Sequence, residues 1–69
     1  MFKVVVRYSD GREEELDMLC ETVAGATHYG GFMSRRLLKS DKANLLDPAS
    51  GDKDAGYFII EVNGLGKEL

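Results

Sequence analysis

The side chains best able to do chemistry in this sequence are few, and they come singly. Cys20 is the only thiol and His28 the only imidazole, and together they could form a nucleophile and its base. They stand eight positions apart, about two turns on a continuous helix, too far for a shared proton unless the chain bends sharply. They read as a structural thiol and a partly exposed histidine near a helix end, and no catalytic residue is assigned. One residue of each kind also leaves no Cys and His set at zinc spacing. Ser50, Asp52, Asp54 and Glu61 fall where a calcium loop places its first, third, fifth and twelfth ligands. The first position lacks its Asp, Ala55 stands where the turn demands glycine, and Glu61 lies in an apolar run. No metal or cofactor is expected.

Charge offers more. Glu13, Glu14, Glu15, Asp17 and Glu21 form the densest acidic cluster. On a strand, alternation puts Glu13, Glu15 and Asp17 on one face about 7 Å apart, a spacing similar to a row of phosphates. Such a face could occupy a cationic groove on another protein as a nucleic-acid mimic. The competing reading is a solvated edge whose charges pair with Lys3 and Arg7. Nothing in the sequence suggests a cleft that would split carboxylate pKa values for acid and base work. Arg35, Arg36, Lys39 and Lys42 form the basic counterpart, with Arg35 and Lys39 one helical turn apart. They could touch phosphates, or simply complement the negative end of a helix. "GATHYGG" lacks the lysine and the strand-to-helix context of a phosphate loop.

Tyr29-Gly30-Gly31-Phe32-Met33 matches the opioid peptide met-enkephalin letter for letter and is followed by Arg35-Arg36. A released peptide needs a secretory signal and basic pairs on both sides. No pair precedes Tyr29, and Met1-Phe2-Lys3-Val4 opens only a short apolar run before Arg7. The stretch is therefore read as structure.

The chain has 69 residues, 43% hydrophobic and 30% charged, which is a globular composition for one domain spanning 1–69. A chain of this size buries only about 60% of its unfolded surface, so the core is thin. The formal net charge of −3 weighs against generic nucleic-acid binding. The unpaired thiol and the lack of an apolar run near membrane-span length point to a reducing cytoplasm and no membrane. Residues 40–56 hold the sole proline and much of the Asp, Ser and Gly, and read as one long loop.

Phe2, Val4, Val6 and Tyr8 alternate with Lys3, Val5 and Arg7, the pattern of a strand. Ser9-Asp10-Gly11 suits a three-residue hairpin loop with a left-handed glycine. The register then places Tyr8 opposite Arg12, Arg7 opposite Glu13, Val6 opposite Glu14, Val5 opposite Glu15, Val4 opposite Leu16, Lys3 opposite Asp17 and Phe2 opposite Met18. From Leu19 the period becomes helical in two stripes, Leu19, Cys20, Val23, Ala24 and Thr27, then Tyr29, Phe32, Met33, Arg36 and Leu37. The spacing predicts a helix from about Cys20 to Lys39. It either kinks at Gly30-Gly31 or runs through with those glycines pressed against the sheet. Residues 57–62, YFIIEV, form the last strand, closed by Asn63-Gly64.

The expected fold is α+β: a small antiparallel three-stranded sheet of order 2-1-3 with the helix on one face, in ββαβ order. The last strand is an apolar edge, which implies either a homodimer through 57–62, using Tyr57, Ile59 and Glu61, or cover from Leu45 and Leu46 of the long loop. An enzyme needs a constellation and a pocket; a binding module needs only shape and surface. The sequence thus predicts a small acidic non-catalytic protein-binding module whose partner is a protein with a basic surface. A lone acidic domain is also the format of phage and mobile-element inhibitors such as anti-CRISPR proteins, an analogy of format alone. The alternative is a nucleic-acid-contacting accessory protein that uses Arg35, Arg36, Lys39 and Lys42.

Overall fold

A computed structural model describes residues 1–62. The elements are β1 (Phe2–Arg7), β2 (Glu13–Glu15), α1 (Val23–Leu38), a short 3-10 turn (Pro48–Ser50) and β3 (Gly56–Glu61). The strands form an antiparallel sheet of order β2-β1-β3 with α1 on one face, the α+β arrangement expected.

The hairpin has the predicted loop. Tyr8 N–H donates to the Arg12 carbonyl at 2.8 Å and Gly11 N–H to the Tyr8 carbonyl at 2.9 Å. Gly11 has φ 92°, in the left-handed region. The Asp10 carboxylate accepts from the Arg12 N–H at 3.0 Å and from its guanidinium at 2.7 Å, and these bonds hold its pKa below the ordinary carboxylate value. A lowered pKa means that this support is present above the unfolded carboxylate's pKa and is lost as pH falls through the folded one. Replacing Gly11 with valine is expected to lower stability by more than ~1 kcal/mol, because a β-branched residue is strained at positive φ. No atom lies within 4 Å of a Cβ built there, so the cost is conformational. An unchanged thermal midpoint would contradict it.

The register holds from Tyr8–Arg12 to Val4, whose carbonyl accepts the Leu16 N–H at 2.8 Å, and then slips. Phe2 pairs with Cys20, not Met18, through two main-chain bonds of 2.8 Å. Asp17, Met18 and Leu19 therefore bulge out opposite Lys3, and Met18 and Leu19 are exposed. The slip brings the small Cys20, not the long Met18, to the rim of the core. It also delays the helix: Cys20 is engaged in the sheet, so α1 starts at Val23, with Thr22 as its N-cap accepting from Gly25 N–H at 3.0 Å.

The helix runs unbroken through Gly30-Gly31 and ends at Leu38, where Lys39 takes φ 54° and donates its N–H to the Arg35 carbonyl. Its buried residues are Ala26, Gly30, Gly31 and Ser34, of which Ala26, Gly30 and Ser34 form a row at every fourth position. The small row lets α1 lie close to the sheet. A Cβ on Gly30 would stand 2.5 Å from Tyr57 Cδ2 and 3.2 Å from Val4 Cγ1, so the Tyr57 ring occupies the space a side chain would take. Tyr29, Met33 and Leu37 flank the row against the core. The second predicted stripe is thus corrected: Phe32 and Arg36 are exposed, on the far side from the sheet. The Ser34 hydroxyl is fully buried, with no hydrogen-bond partner among the described residues.

Val4, Val6, Leu16, Ala26 and Tyr57 make the core; a fully buried valine contributes on the order of 1.5 to 3 kcal/mol. The long loop lies along the start of β3. Tyr57 N–H donates to the Asn44 carbonyl at 2.9 Å and Leu46 N–H to the Tyr57 carbonyl at 2.7 Å, and Leu46 is buried. The edge expected to be unguarded is therefore covered at Tyr57 by its own chain. Asn63-Gly64, expected to close the strand, lies outside the described residues.

Candidate functional site: an acidic edge and a basic helix face

The sheet divides the charges by alternation. Lys3, Val5, Arg7, Glu13, Glu15, Phe58 and Ile60 point away from the helix; Val4, Val6, Tyr8, Glu14, Leu16, Tyr57 and Ile59 point toward it. On the open face Arg7 pairs with Glu13 at 2.9 Å and Lys3 with Glu15 at 3.2 Å. Arg7 also lies 5.5 Å from the Phe58 ring centre and donates to the Asp52 carbonyl. On the other face the Tyr8 hydroxyl donates to Glu14 at 2.7 Å. That bond, aided by partial burial and the carboxylate's charge, raises the phenol pKa above its ordinary 10.0.

The expected single row of Glu13, Glu15 and Asp17 does not form. β2 ends at Glu15 and Asp17 falls in the bulge, because the slip of register leaves Lys3 without it. What forms is an edge with carboxylates on both faces. All three residues of β2 are exposed, and Asp17 and Glu21 continue the acid toward the N-terminus of α1. Since Tyr8–Arg12 and Val4–Leu16 carry the ladder bonds, alternation turns the main-chain groups of Glu13 and Glu15 outward. β2 is the outermost strand, with β1 its one neighbour in the sheet, so these groups face away from the sheet.

At β3 the same alternation turns Tyr57, Ile59 and Glu61 outward. Tyr57 is taken by the loop, so a dimer through 57–62 would have to use Ile59 and Glu61. Arg35, Arg36, Lys39 and Lys42 are all exposed around the C-terminal end of α1, and Arg36 lies 5.5 Å from the centre of the Phe32 ring. Phe32 is a member of this group that the spacing argument missed. Its place between His28 and Arg36, one turn from each, was the available signal.

Cys20 packs against the core while His28 is exposed on the helix, so the fold does not bring them together. Among the described residues no cluster of His, Cys, Asp and Glu could hold a metal ion, and no helix is long and apolar enough to cross a membrane. A cleft of about 330 Å³ lies between the hairpin and the loop, lined by Arg7, Glu13, Asp52 and Lys53 among others; its arginine is already committed to Glu13 and the Asp52 carbonyl. Comparison with protein-family models, curated proteins and solved structures finds no match in any of the three.

Proposed function

We propose that the chain is a non-catalytic protein-binding module that offers the β2 edge to a basic surface on another protein. The observation that supports this most is the edge itself. Three consecutive exposed glutamates occupy the outermost strand, with carboxylates on both faces and outward main-chain groups between them. Carboxylates on an edge discourage pairing with neutral or acidic strands, and the same charges select a cationic groove or an arginine-bearing segment that can straddle the edge. The ion pairs to Lys3 and Arg7 reduce the negative field on the open face without removing it, because exposed pairs of this kind are worth little. Glu14, Asp17 and Glu21 have no cationic partner among the described residues. In format this is a small inhibitor of the phage or mobile-element kind, anti-CRISPR-like, acting in the cytoplasm on a protein that handles nucleic acid.

Pull-down from the native host with mass spectrometry would identify the partner. Changing Glu13, Glu15 and Asp17 together to glutamine or asparagine is then expected to weaken binding by tenfold or more while the circular dichroism spectrum stays unchanged. Affinity should also fall as salt rises, since attraction between exposed charges decays over about 8 Å at physiological ionic strength. Equal binding by the neutralised protein would remove the acidic edge from the interface.

A further inference from the structure

The outer face of α1 has a composition that the acidic edge does not explain. The helix contains no acidic residue (VAGATHYGGFMSRRLL). Its exposed side carries His28, Phe32, Arg35 and Arg36, with Lys39 at the cap and Lys42 just beyond. Phe32 is 49% exposed although it sits mid-helix, and it is the only aromatic residue on this face. Arg36 reaches over the ring, yet about half of its surface still meets water.

We propose that this face binds single-stranded nucleic acid, with Phe32 stacking on a base and Arg35, Arg36, Lys39 and Lys42 holding the flanking phosphates. Two features together favour this occupant. Cations alone would suit any anion, including an acidic peptide or the β2 edge of a second copy; a half-bare ring at their centre adds nothing for a carboxylate. A single strand presents what both halves of the face need, phosphates beside unstacked planar bases. A duplex keeps its bases stacked and offers the phosphates only. From His28 to Arg36 the helix advances about 12 Å at 1.5 Å per residue, enough to track a few nucleotides. The net charge of −3 does not oppose such contact locally, because α1 itself carries no acid and, of the exposed acids, Asp41 alone interrupts the basic set in sequence, between Lys39 and Lys42.

The test is fluorescence anisotropy of a labelled oligothymidylate with the full chain at low salt. A dissociation constant on the order of 10⁻⁵ M is expected, within the range of non-specific binding. Phe32→Ala and Phe32→Leu should each weaken it about tenfold, the scale of one lost base stack, while Phe32→Trp should retain it. Leucine fills the apolar volume without a π-face, so it separates stacking from folding. Neutralising Arg35, Arg36 and Lys39 should flatten the logarithmic salt dependence by about 0.7 per cation removed. Glu13, Glu15 and Asp17 neutralised together should leave oligonucleotide binding intact, which keeps this site separable from the acidic edge. The proposal is overturned by any of three results: no binding up to millimolar protein, unchanged affinity in Phe32→Leu, or equal competition by polyglutamate or duplex DNA.

Discussion

Alanine at Gly30 is expected to destabilise the domain by about 1 to 3 kcal/mol, the usual cost of inserting an atom into a packed core. Alanine at Gly31 is expected to stabilise it by up to about 1 kcal/mol, the helix propensity gained. The two changes are chemically identical and adjacent, and helix propensity favours both equally. They differ in what the new methyl would meet. At Gly30 it would stand 2.5 and 2.7 Å from two atoms of the Tyr57 ring, whereas at Gly31 the nearest atoms lie at 3.8 to 3.9 Å, ordinary contact. Tyr57 is 5% exposed and is held by the loop at both its N–H and its carbonyl, so the ring has little room to retreat. A double-mutant cycle of Gly30→Ala with Tyr57→Leu should show a coupling of about 0.5 to 3 kcal/mol, because the smaller side chain accepts the methyl. Denaturant melts of the four proteins decide it. Equal effects at Gly30 and Gly31 would mean that the glycines owe nothing to close packing.

Truncating Leu46 to alanine is expected to cost about 2 to 4 kcal/mol, in the range for a buried leucine. Its side chain is 6% exposed while its neighbour Leu45 is 59% exposed, so one leucine of the pair anchors the loop and the other faces water. In a domain of this size such a loss is a large share of the whole, since a thin core rarely supplies more than about 3 to 5 kcal/mol. The Leu46 N–H also closes one end of the β3 edge at Tyr57. Loosening the loop should therefore expose that edge, and sedimentation over micromolar concentrations should show stronger self-association than in the wild type. Leu45→Ala is the control and should change stability by less than about 0.5 kcal/mol, as exposed positions usually do. If both truncations behave alike, the loop is not anchored as described.

The hairpin was legible because its signals agree: alternation, turn chemistry and opposite charges all gave one register from Tyr8 to Val4. The slip at Asp17 was not, because charge pairing with Lys3 and apolar pairing of Phe2 with Met18 made a plausible continuation. What overrode it was the fit of Cys20 under the helix, a tertiary effect that periodicity does not carry. Counting apolar residues also put Phe32 in the buried stripe. The row that touches the sheet is Ala26, Gly30 and Ser34, three residues that a hydrophobicity pattern scarcely registers, and with that row fixed Phe32 falls outside. The acidic cluster, its pairing with Lys3 and Arg7 and the basic set were all legible in the sequence, whereas the place of the Phe32 ring beside Arg36 depends on which face the helix presents.

The strand at the centre of the sheet comes from the start of the chain, and one of its two neighbours comes from the end of the described part. Val5 meets Glu15 across a tight hairpin but meets Phe58 only after nearly all of the intervening sequence has been crossed. During synthesis the hairpin therefore emerges well before β3, and with chain growth of ~5 to 20 residues per second the wait lasts seconds. An isolated hairpin is at best marginally stable in water, so β1 carries Val4, Val5 and Val6 without their final cover for that time. Closing the long connection between β1 and β3 has an entropic cost that must be met before their contacts give anything back, so the β1–β3 pairing is the long-range step of this fold. The exposed carboxylates of β2 then act while the hairpin waits: charge along an outer strand discourages edge-to-edge pairing with another chain before β3 arrives.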